Sequence, residues 1–185
     1  MLSFFVVPTS TGYSFSYTSL LGHLITKAET LYGERDKSYT ILGVEIMSDE
    51  FGEAPQVWYP GNCKHIAIRI TSSCLGHLGK SVYQLAHETI HCLFPSGGAH
   101  ANYLEEGLAV HFALECAKEY SYFPKPSQRY QEAFELVDPI LKQDRSFIKK
   151  LRERELSLYR ISRDLIIELA PDISPETAEN LVTKF

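Results

Sequence analysis

The amino-acid sequence predicts an α+β chain: a small, N-terminal mixed sheet packed on one amphipathic helix, followed by a mainly helical C-terminal half. Three observations carry this. Residues 39–46 and 65–71 are rich in β-branched side chains and alternate apolar with polar, the period of a half-buried strand. Residues 78–94 contain no proline and place their apolar side chains at helical spacing. From residue 102 onward the periodic segments have the helical repeat.

Each element has its own justification. Leu20, Leu21, Leu24, Ala28 and Leu31 recur at helical spacing and predict a first helix over residues 17–35. A strand over 39–46 follows, then a polar turn over 49–55 and a short strand at Val57-Trp58-Tyr59, closed by Pro60-Gly61-Asn62. Residues 65–71 alternate most cleanly and give the best-defined strand. Val82, Leu85, Ala86, Thr89, Ile90 and Leu93 then supply the apolar side of the helix over 78–94, which Pro95-Ser96-Gly97-Gly98 terminates. A further helix is expected over 102–114, and another over 128–142 broken at Pro139, which has no N–H to donate. Phe147, Leu151, Leu158, Ile161, Leu165 and Leu169 form one stripe and predict a long amphipathic helix over 146–170. Within it, the run Lys149-Lys150-Leu151-Arg152-Glu153-Arg154 reads as a solvated face. Ser174-Pro175-Glu176 supplies an N-cap and a first-turn proline for a last helix reaching Lys184.

Length and composition bound the function. The 185 residues suit one domain, with an α/β part over about 1–98 and a helical part over about 99–185. A net charge of −5 gives no basic surface for phosphate and argues against nucleic acid as a partner. Cys63, Cys74, Cys92 and Cys116 are scattered, form no CxxC pair and read as reduced, mostly buried thiols. Residues 1–8 are briefly apolar but lack a basic leader and read as a strand or packed arm. No apolar run is long enough to span a bilayer, so cytoplasmic residence is the expectation. Oligomeric state leaves no sequence signal.

The chemistry is concentrated in His87-Glu88-Thr89-Ile90-His91. Two histidines four apart share one helix face a turn apart, which lets both imidazoles reach one Zn²⁺. Glu88 flanks that pair, where its carboxylate can take a proton from a metal-bound water. A catalytic zinc site keeps three protein ligands and one open position, so a third ligand is sought in Tyr103-Leu104-Glu105-Glu106-Gly107-Leu108-Ala109. Cys92 borders His91 but points off the metal face of the helix.

His87–His91 followed by Tyr103–Ala109, within a stretch of about thirty residues, resembles the gluzincin metallopeptidases, whose HExxH helix is completed by a Glu from a second helix, often in a (W/Y)L-x-E-G-x-A string. The resemblance implies a zincin-like fold, Zn²⁺ as cofactor and a peptide or protein as substrate. It matches His87 and His91 to the two His ligands, Glu88 to the general base and Glu106 to the third ligand. Glu106 is preferred to Glu105 because it directly precedes Gly107. The chain also departs from the pattern. Only 14 residues separate His91 from Glu106, a compact pair of helices. Some relatives carry an Asp four residues after the ligand Glu, hydrogen-bonded to a ligand His; here that place is Val110, so the partner must come from elsewhere. The strand over 65–71, just before the motif, is either an edge that pairs with extended substrate or a central strand.

The implied reaction is peptide hydrolysis by a zinc-activated water, with Glu88 as general base. A donor to the oxyanion is also required, and Tyr120, Tyr122, Tyr130, Tyr159, His100 and His111 are available. Tyr159 is the choice, since the long helix carrying it can fold back over the cleft. His111 lies too far round its helix to join the metal and reads as a supporting or core residue. The alternative is a non-catalytic or latent zinc-binding protein acting as a regulatory or interaction module. The helices after residue 146 are then either the far wall of the cleft or a plug in it, of which the wall is preferred.

Overall fold

The computed structural model describes residues 8–9, 12–13, 17–47, 54–61, 64–96 and 101–185. The arm expected over 1–8, most of the polar turn at 49–55, Cys63 and His100 therefore lie outside the described residues, apart from Pro8. The described chain is mixed α+β and mostly helical. Its strands are β1 (Pro8–Thr9), β2 (Gly12–Tyr13), β3 (Thr40–Met47), β4 (Gln56–Trp58) and β5 (His65–Thr71). Its helices are α1 (Tyr17–Tyr32), α2 (Leu78–His91), α3 (Tyr103–Lys118), α4 (Gln128–Gln143), α5 (Phe147–Arg154), α6 (Arg163–Leu169) and α7 (Pro175–Val182).

β1 and β2 form an antiparallel pair, and the other three strands form a mixed sheet in the order β3-β5-β4. β3 runs parallel to β5, and β4 runs antiparallel to it. β5 is thus central, which settles the choice left open by its sequence. Ile66, Ala67, Ile68 and Ile70 are all buried, as a strand covered on both sides requires. The edge strand near the HExxH helix is β4, the short segment before it.

α1 buries Leu20, Leu21, Leu24, Ala28 and Tyr32, and Gly33 ends it with φ of 93° while its N–H bonds Glu29 O at 2.9 Å. α2 is pinned to the end of β5 by one side chain: Gln84 Oε1 accepts from Thr71 N at 2.9 Å, and Gln84 Nε2 donates to Thr71 Oγ1 at 2.9 Å. α3 is central and buried nearly all round, so it has no amphipathic stripe. Asn102 caps it, accepting from Glu105 N at 2.9 Å, and Asn102 Nδ2 donates to Leu158 O at 2.9 Å. Gly107 is required by packing: a Cβ there would lie 2.2 Å from Ala133 O and 2.6 Å from Val137 Cγ2 on α4.

Three expectations change in the helical half. α4 runs through Pro139 without a break. Pro139 and Glu135, whose carbonyl loses its partner, are both exposed, while Ala133, Val137, Ile140 and Leu141 bury the opposite face. The long helix over 146–170 is instead α5, a 3₁₀ turn at Leu158–Arg160 and α6. The Asn102 bond to Leu158 O draws the chain out of helix, and Ser162 restarts it by accepting from Leu165 N at 3.3 Å. Finally, Arg152 is not solvated but buried, its guanidinium spent on backbone carbonyls of distant segments. α7 begins as expected, with Ser174 Oγ accepting from Thr177 N at 3.0 Å and Pro175 in the first turn. Beyond it the chain lies beside residues 101–103, Tyr103 N donating to Thr183 O and Phe185 N to Ala101 O. Among the described residues, no helix is long and apolar enough to cross a membrane.

Candidate metal centre

The last two turns of α2 and the first turn of α3 face each other. α2 brings His87 and His91 to this junction with ring centroids 5.2 Å apart. From α3, Glu106 Oε2 lies 3.2 Å from His87 Nε2, and Glu106 Oε1 lies 3.6 Å from His91 Nε2. One ligand atom from each of the three residues fits within 4.8 Å of the others, a spacing that one cation can bridge. The sequence placed all three; the fold brings them together.

The remaining groups complete the surroundings. Glu88 is buried, and the backbone N–H of Val57 on β4 faces its carboxylate and acts to lower its pKa. Glu105 Oε1 lies 2.8 Å from His91 Nδ1, so the carboxylate partner missing at Val110 comes from the residue just before Glu106. A cavity of about 330 Å³ opens here, bounded by Gln56, Val57, Glu88, Tyr130 and Phe185. Tyr130, on α4, meets the His87 ring edge-on at 5.4 Å.

Charge tests whether a cation belongs here. Glu88, Glu105 and Glu106 are all buried, and among the described residues none has a Lys or Arg within ion-pairing distance. Glu105 Oε2 is fully buried with no hydrogen-bond partner. Buried carboxylates need compensation, which here falls to the two imidazoles or to a bound cation. Burial pushes the Glu88 pKa up, partly opposed by the adjacent His87 and His91. At His91 burial works downward, but Glu106, Glu105 and Glu88 outweigh it and push the imidazole up to about 10. Glu106 is raised by burial yet held below its ordinary value overall by His91 and His87. The cluster attracts positive charge, and a nitrogen–nitrogen–carboxylate donor set suits Zn²⁺.

Other candidates are elsewhere. Tyr159 sits in the 3₁₀ turn, half-buried beside the Arg160 guanidinium at 5.4 Å, and does not line the cavity; Tyr130 does. The choice of Tyr159 rested on a continuous helix that the chain does not form. His111 stacks on Phe134 and lies 3.3 Å from Asp138, in a separate and larger cavity of about 500 Å³ without a metal-ligand set among the described residues. Cys92 is buried in the core, and burial raises its thiol pKa further from the thiolate a metal would need. Tyr130 was one of the six donors the sequence offered, with nothing local to single it out; Val57 and Phe185 were not marked as site residues, because each reaches the site only through tertiary packing. Compared with family models, curated proteins and solved structures, the chain matches none.

Proposed function

We propose that this chain is a zinc-dependent peptidase of the gluzincin type with a zincin-like fold, holding Zn²⁺ through His87, His91 and Glu106. The observation that carries the reading is the pairing of that ligand set with Glu88, a buried carboxylate between the two histidines that opens on a cavity edged by β4. Bound zinc would polarise a substrate carbonyl and acidify a water. Glu88 takes a proton from the attacking water on its carboxylate and returns it to the leaving amine nitrogen. The Val57 N–H faces that carboxylate across the cavity's edge, on the strand along which an extended substrate would pair. Tyr130 replaces Tyr159 as the side chain offered to the oxyanion, since it is the tyrosine against His87.

The test is Glu88→Gln, which keeps shape and removes the base. The parent is expected to hold about one zinc per chain by elemental analysis. The variant should keep that zinc and lose peptide cleavage on a broad library by at least about 100-fold. A variant that cleaves as the parent does, or a parent that binds zinc and cleaves nothing, would refute the peptidase reading.

A further inference from the structure

Resting on the zinc-binding reading above, we infer that Glu105 is the positioning residue of the metal centre: it holds the His91 ring through Nδ1 and presents Nε2 as the ligand atom. A carboxylate can only accept, so the short contact of 2.8 Å assigns the hydrogen to His91 Nδ1. In a metal-bound, neutral ring the lone pair would then lie on Nε2, the nitrogen that faces Glu106 Oε1 at 3.6 Å. Ring orientation and ligand atom are fixed by one bond.

Glu105 is itself held. Its backbone N–H is taken by the Asn102 cap at 2.9 Å, and Asn102 is anchored to Leu158 O and bridged to Lys184. The side chain is 7% exposed, and its ion-pair partner among the described residues is His91. The contact would stay favourable with a cation on Nε2, which draws positive charge onto the ring, and the carboxylate in turn makes the imidazole a better donor. The support is unequal between the ligands: among the described residues, no carboxylate lies against Nδ1 of His87. His91 is therefore the ligand whose affinity depends on a neighbour, and the neighbour is the first glutamate of the Glu105-Glu106 pair.

The experiment uses the full chain with Glu105→Gln and Glu105→Ala, titrated with zinc against a chromophoric chelator. Glu105→Gln keeps shape and loses charge, and should weaken zinc by about 10-fold; Glu105→Ala should approach 100-fold. In the zinc-loaded parent, the His91 Nδ1 proton should be visible in ¹⁵N–¹H correlation spectra and slow to exchange. It should be lost to fast exchange in Glu105→Ala, with the His87 ring signals unmoved. A merely structural Glu105 would shift unfolding temperature without that selective loss. Zinc affinity within twofold of the parent in both variants, with the His91 proton still protected, overturns the assignment alone. A parent that binds no zinc overturns the metal reading and this role with it.

Discussion

Arg152 shows what a single side chain can do when its charge is met by backbone rather than by carboxylates. It donates to Tyr32 O at 2.8 Å, Gly33 O at 2.7 Å, Glu34 O at 2.8 Å and Leu156 O at 3.1 Å, with Leu93 O at 3.4 Å. The first of these carbonyls close the C-terminal end of α1, where the helix dipole favours a cation. Arg152→Met should cost about 2–4 kcal/mol in urea unfolding, because several buried carbonyls lose their donor at once. Arg152→Lys should recover only part, since an ammonium cannot reproduce the planar fork. A loss under about 0.5 kcal/mol for Arg152→Met would contradict the role, being no more than an ordinary surface substitution. In the sequence Arg152 is one cation in a basic run, and nothing local marks it as different from Lys149 or Arg154. The ligand histidines were legible for the opposite reason: their spacing is a property of one helix and needs no knowledge of the rest of the fold.

At the scale of elements, the close approach of α3 and α4 depends on the absence of a methyl group at Gly107. Gly107→Ala should push α4 from α3 and lower stability by about 1–3 kcal/mol, read as a shift in urea midpoint at unchanged slope. A variant as stable as the parent would show that the helices separate freely. Between α4 and α5, Asp144 accepts from Ser146 N at 2.8 Å, Ser146 Oγ at 2.6 Å and Lys150 Nζ at 2.7 Å. Lys150 and Ser146 hold its carboxyl down at about 2, against an ordinary 3.8. The sign follows: its stabilisation is complete above the ordinary value and is lost as pH falls through about 2. Asp144→Ala should therefore cost about 0.5–1 kcal/mol at pH 7, small because the pair is solvent-screened, and close to nothing below pH 2. An equal cost at both pH values would rule out the charge. The helices and β5 were readable because periodicity is written in the chain. The break before Ser162 and the survival of the helix across Pro139 were not. Both are decided by partners remote in sequence, Asn102 for the first and the face packed on α3 for the second.

For the whole molecule, the question of wall or plug turns on where the C-terminal apolar side chains go. Phe147, Ile148, Leu151, Leu158, Ile161, Ile166, Ala178 and Leu181 belong to the same buried cluster as Val82, Leu85, Leu104 and Leu108. Truncation ahead of Ser146 should therefore give a chain without cooperative unfolding or zinc binding, checked by circular dichroism and elemental analysis. A truncated chain that stays folded and cleaves faster would make these helices a plug. The expected division near residue 98 describes composition rather than independence. The carbonyls of Tyr32, Gly33 and Glu34 take their hydrogens from a guanidinium 120, 119 and 118 residues further along. During synthesis, then, the sheet and its helices emerge with those acceptors still facing water, and they reach their final partner only after residue 152 has cleared the ribosome. The first half of this chain is made early and finished late.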